Sequence, residues 1–194
     1  MSQKSGYFGK PFMIWVLANI LGFAALGAAP LLPSGLISLA GMFGSTLMIS
    51  IPIGIAQWIG LRRITPISIL WTLTVPLGML AGVSFFKAFD DIGLPQVFDD
   101  ESMVVIVFLY MMMGFAVGLP QWLLLRRQYP NSALWLLGSS MGVGAGIGLV
   151  GVTDLVNRSG VLAYIAAVLV YAVVTGVTLS RILGDGKRSE SIEH

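Results

Sequence analysis

Two stretches of the chain each bring an amide, an indole and a pair of guanidinium groups within seven residues. Gln57-Trp58-Ile-Gly-Leu61-Arg62-Arg63 and Gln121-Trp122-Leu-Leu-Leu125-Arg126-Arg127 carry the same polar types at the same spacing. On a helix Trp58 and Arg62, like Trp122 and Arg126, share a face because they stand four apart, so the guanidinium can lie over the indole and still reach a polar layer. The two arginine pairs could bind a phosphate or an anionic lipid headgroup through bidentate hydrogen bonds. Gln57 and Gln121 precede Arg62 and Arg126 by five residues, about 7 Å along a helix. They could act as facing hydrogen-bond groups at the mouth of a central groove. The competing reading makes all eight residues interfacial anchors, since tryptophan belts and basic residues flank membrane spans in general.

Other chemistry is scarce. The chain has no cysteine and its sole histidine is His194, which excludes disulfides, thiolate nucleophiles, Fe–S and thiolate zinc sites, and His-based catalysis or metal binding within the spans. No metal and no cofactor are expected. The acidic stretch with Asp90, Asp91, Asp99, Asp100 and Glu101 has enough oxygens for a hard cation but lacks EF-hand spacing. It reads as a solvated loop or a dock for a basic partner. Asn19 stands alone as a core polar residue in the first apolar stretch, where an amide bridges neighbouring helices or meets a ligand.

The elements that must position these groups follow from composition. Of 194 residues 56% are hydrophobic and 10% charged, against about 25% charged in soluble domains. With a mean hydropathy of +0.89 and 24 glycines, this is the profile of an all-α membrane protein. The charge-free runs 11–61, 64–86, 102–125, 128–153 and 159–180 each exceed or approach the roughly 20 residues a spanning helix needs. The first holds two spans around Ala29-Pro30-Leu-Leu-Pro33-Ser-Gly35. Six spans are expected, at 12–29, 36–60, 68–86, 103–125, 132–152 and 160–180. Pro52, Pro76 and Pro120 interrupt spans two, three and four and free carbonyls one turn earlier. The organisation is a cytoplasmic segment 1–11, a six-helix domain 12–183 and a disordered cytoplasmic tail 184–194. Lys4, Lys10 and Ala24 to Ala29 also resemble a signal peptide, yet the apolar run is long for one.

An internal repeat orders the spans. Residues 54–71 match residues 118–135 at an offset of 64, with ten of eighteen positions identical, and Gly78 and Gly82 continue the match to Gly142 and Gly146. Trp15 and Gly22 keep the Trp-to-Gly spacing of seven, and Ala172, Gly176 and Arg181 loosely follow Gly114, Gly118 and the arginine pair. The unit is a two-helix hairpin present three times, which implies parallel repeats and a pseudo-threefold bundle. Small residues one turn apart, including Gly54, Gly78, Gly82, Gly118, Gly142 and Gly146, mark helix-packing faces.

Basic residues set orientation. Nine of them fall on the side of the termini and only Lys87 and Arg158 on the other, so the termini and both arginine pairs are expected in the cytoplasm. The Gln-Trp-x-x-Leu-Arg-Arg hairpins, followed by Pro66 and Trp71 or Pro130 and Trp135, resemble a set of uncharacterised small bacterial, notably cyanobacterial, multi-spanning membrane proteins. That resemblance covers 54–82 and 118–146 and implies a bacterial cytoplasmic or thylakoid membrane without implying an activity. The last hairpin departs from it, with Leu179-Ser180-Arg181 where Gln-Trp would stand. The expected function is non-enzymatic: binding lipid or an apolar ligand or pigment, or serving as a subunit or scaffold of a membrane complex. The alternative is a small transporter or channel along the repeat axis, disfavoured because no Asp, Glu, Lys, Arg or His lies in the spans. Expected partners are membrane lipids and other membrane-protein subunits; a net charge of +2 offers no nucleic-acid surface.

Overall fold

The computed structural model describes residues 9–27, 34–92, 103–157 and 160–190. Among these the chain is helical throughout, with α1 (Lys10–Gly27), α2 (Ser34–Leu61), α3 (Trp71–Asp91), α4 (Met103–Leu125), α5 (Leu134–Asn157) and α6 (Gly160–Glu190). Residues 28–33 of the first turn, the loop acids Asp99, Asp100 and Glu101, and residues 191–194 lie outside the described residues. Helix α6 continues to Glu190, through most of the stretch expected as a disordered tail.

Four helices are long and apolar enough to cross a membrane, over Phe43–Leu61, Trp71–Phe89, Met103–Leu125 and Leu162–Gly184. Helices α1 and α5 contribute shorter apolar stretches, Lys10–Ala24 and Leu134–Val150. Each helix turns large apolar side chains outward: Leu17, Ile55, Leu77, Phe108, Leu137 and Ile165 are all exposed. Such a girdle is costly against water and neutral against hydrocarbon.

Consecutive helices pack against one another, and α6 also packs on α1, so the six close into a ring. Glycines sit where backbones approach most closely. A side chain on Gly22 of α1 would strike the Ile53 backbone of α2, one on Gly78 of α3 would strike Val117 of α4, and one on Gly142 of α5 would press on Tyr171 of α6. Ile53 and Val117 are partners in the 64-residue repeat. Helix-breaking proline belongs to the same seams. Pro76 and Pro120 remove the N–H groups that would have bonded the carbonyls of Thr72 and Ala116. Those carbonyl oxygens press on the Cβ positions that Gly54 and Gly78 leave vacant on the neighbouring helices, where a glycine Cα–H can face them. Among the described residues only helix α2 is broken, at Gly41, whose φ of 58° and ψ of −168° only glycine adopts readily.

The turns joining α2 to α3 and α4 to α5 are built alike. Thr65 N–H donates to the Leu61 carbonyl at 3.0 Å and Tyr129 N–H to Leu125 at 2.9 Å. The Ser68 and Ser132 carbonyls accept the N–H groups of Trp71 and Trp135, the second at 2.9 Å. These turns set both tryptophans inward. The apolar core therefore lies at the arginine end of the ring, as a cluster of Trp15, Trp71, Trp135, Leu61, Leu125, Leu179 and Ile182.

Candidate functional site

Trp15 of α1, Trp71 of α3 and Trp135 of α5 meet edge to face, with ring centroids 5.3 to 6.3 Å apart, and none is exposed. Edge-to-face stacking sets the positive rim of one indole against the π-face of the next. It leaves three indole N–H groups buried at one level, and each finds an acceptor on an even-numbered helix. Trp71 donates to Gln57 Oε1 at 3.3 Å, Trp135 to Gln121 Oε1 at 2.9 Å and Trp15 to Thr175 Oγ1 at 2.9 Å.

An indole can only donate, and this fixes which amide atom faces it. With Oε1 of Gln121 turned to Trp135, its nitrogen is free to donate, and it does so to Gln57 Oε1 at 3.0 Å. Gln57 Oε1 thus accepts twice, and Gln57 Nε2 donates to Asn19 Oδ1 at 2.9 Å. Asn19 Nδ2 ends the chain on the Trp15 carbonyl, again at 2.9 Å. The result is a belt with one direction, running from α5 through α4 and α2 to α1. Thr175 extends it on α6 by donating to the Tyr171 carbonyl, and the Tyr171 hydroxyl lies beside Gln57 and Ser139. Among the described residues only Trp58 Nε1 and Ser180 Oγ are buried polar side-chain atoms without a partner, so the belt satisfies itself.

Above this belt, away from the arginines, lies a cavity of about 420 Å³ with an almost wholly apolar wall. All six helices contribute, through Phe23, Ile53, Met79, Met113, Ile147 and Val168 among others, and Gln57 and Tyr171 form its floor. Lining positions on α5 run from Gly142 to Val150, a depth of about 12 Å at the helical rise. The cavity is half open to its surroundings, so it is an apolar recess rather than a sealed void.

The sequence-predicted site divides between two levels. Gln57, Gln121 and Asn19 are buried and joined to one another. Arg62, Arg63, Arg126 and Arg127 are exposed at the end of the ring, outside the amide network. Arg62 lies 4.7 Å over the Trp58 ring and Arg126 5.1 Å over Trp122. Thr65 and Tyr129, equivalent in the repeat, share a hydrogen bond of 2.5 Å that ties the two arginine-bearing turns side by side.

Three parts of the site escape sequence reasoning. Trp71 and Trp135 serve there only as repeat landmarks, although each follows its glutamine by fourteen residues in both copies. Thr175 carries no signal, because it accepts from an indole through a hydroxyl where Gln57 and Gln121 use an amide. It precedes Leu179 by four residues, as Gln57 precedes Leu61 and Gln121 precedes Leu125. Thr175 bonds the Trp15 indole and Leu179 joins the same core cluster as Leu61 and Leu125. The cavity, the third part, is a property of packing alone. Comparison with protein families, with curated proteins and with solved structures finds no match to this chain.

Proposed function

We propose that the protein is a non-enzymatic integral membrane protein whose ring of six helices holds a lipid chain, a pigment or another apolar ligand, alone or as a subunit of a larger membrane complex. The observation that carries this reading is the apolar cavity to which every helix contributes. All six helices span in this proposal: the 18 residues of α1 cover about 27 Å, close to a hydrocarbon core of about 30 Å. Both termini and both arginine pairs lie in the cytoplasm, following the nine-to-two bias of basic residues.

The ring is further proposed to follow a pseudo-threefold axis, with the hairpin as its unit. Three recurrences favour it: indole to amide or hydroxyl, tryptophan to tryptophan, and the seams Gly22 to Ile53, Gly78 to Val117 and Gly142 to Tyr171. The buried tryptophans on that axis weigh against a continuous water path and so against the channel reading. At the cytoplasmic face the four arginines bind anionic lipid headgroups, with Arg62 and Arg126 held by indole stacking and the two turns joined by the Thr65 to Tyr129 bond.

Purification in mild detergent followed by mass spectrometry tests both bindings. Wild-type protein should release one apolar species in near-stoichiometric amount, together with an acidic lipid. Converting the four arginines to glutamine should lose the acidic lipid alone, and converting them to lysine should weaken its retention. Absence of any apolar species would remove the ligand reading. Unchanged acidic lipid in the glutamine variant would return the arginines to interface anchors.

A further inference from the structure

Resting on the cavity as a ligand site, we infer that its occupant is a broad, ring-bearing or branched hydrocarbon whose inserted part carries no polar group. Volume and depth together require breadth. An apolar cavity of about 150 Å³ binds one benzene, so about 420 Å³ accepts about 2.8 times that, or about seventeen carbon atoms. The depth is about 12 Å. An extended chain advances roughly 3.5 Å for every three bonds, so only about ten bonds fit end to end. Nearly two carbons per bond of length must be placed side by side, as in fused rings or a branched chain.

The floor excludes a polar inner end. Gln57 Oε1 already accepts from Trp71 and Gln121, Gln57 Nε2 donates to Asn19, and Tyr171 lies beside Gln57 and Ser139. A hydroxyl or carboxylate pushed to that depth would lose its water without gaining a committed partner. Met79, Met113 and the rings of Phe23, Tyr110 and Tyr171 line the wall, polarisable surfaces suited to a π-system.

The probes are pyrene and hexadecane, a fused-ring and a straight-chain hydrocarbon of equal carbon number. Protein washed free of co-purified apolar molecules in detergent should quench its tryptophan emission by energy transfer to pyrene, saturably and near one pyrene per chain, since three indoles lie beneath the cavity. Ile147→Phe and Met79→Phe, which fill it, should weaken this at least tenfold, whereas Leu137→Phe on the outer girdle should leave it unchanged. Both filling variants are compared by elution profile with wild type, and the one that elutes as a folded monodisperse species is decisive. Hexadecane in excess should displace little pyrene. Equal displacement by hexadecane would overturn the broad shape and leave the ligand site standing. Absence of saturable pyrene binding in protein that does yield an apolar species would overturn the class proposed here, and absence of both would overturn the site itself.

Discussion

Gln57 serves three partners at once: the Trp71 indole, the Gln121 amide and the Asn19 carbonyl oxygen. Thr175 serves only Trp15 from the belt. Removing an acceptor from a buried donor costs more than the bond was worth, because the orphaned group has also lost water. Hydrogen bonds between membrane helices are individually modest. Thr175→Val is therefore expected to cost about 1 kcal/mol, and Gln57→Leu, which orphans three groups, about 3 kcal/mol. Reversible unfolding in detergent, titrated with a denaturing detergent, measures both. Equal losses would mean that the amide belt is not a cooperative network. The amides of that belt, Gln57, Gln121 and Asn19, stood out in the sequence as polar groups among apolar runs, whereas the indoles they bind read only as repeat landmarks. The closing pair was not legible, for Trp15 and Thr175 lie 160 residues apart and use a different acceptor.

Helix seams discriminate between glycines that look alike in the repeat. Gly78 and Gly142 are equivalent by position, yet a Cβ on Gly78 meets the Val117 backbone, whereas on Gly142 it meets a Tyr171 ring carbon at 3.1 Å and the Thr175 methyl at 3.4 Å. Backbone cannot move aside without shifting a helix; a side chain can turn. Gly78→Ala should cost about 1 to 3 kcal/mol and Gly142→Ala less than about 1 kcal/mol by the same unfolding assay. Comparable costs would show that both seams yield equally. The positions of all six helices were legible, because charge bounds the apolar runs, a Pro- and Gly-bearing turn divides the first, and the repeat fixes the two central turns. What each glycine faces was not, since the small-residue pattern marks close approach without naming the neighbour. The break at Gly41 was not legible either, as that glycine looks like others in the same run.

At the scale of the whole molecule, an indole meets its acceptor between α3 and α2, between α5 and α4, and between α1 and α6. Under the proposed threefold arrangement these pairs are one recurring contact, and the last of them joins helices that are not consecutive. If this contact rather than the chain order specifies the ring, the ends can be moved. A circular permutant that links residue 183 to residue 11 through a copy of the 128–132 turn, and opens at residues 64–67, should fold with an unchanged tryptophan emission maximum and elution volume. Loss of both would tie the fold to its present ends. The belt described above has a last consequence for the membrane as a barrier. Its indoles, amides and hydroxyl hold no group that takes up or releases a proton near neutrality, and its one-way order leaves the amides no equivalent reversed arrangement. If the ring holds an apolar ligand in a membrane as proposed, its recess would open on one side while the neutral belt beneath it offers no titrating group to hand protons onward.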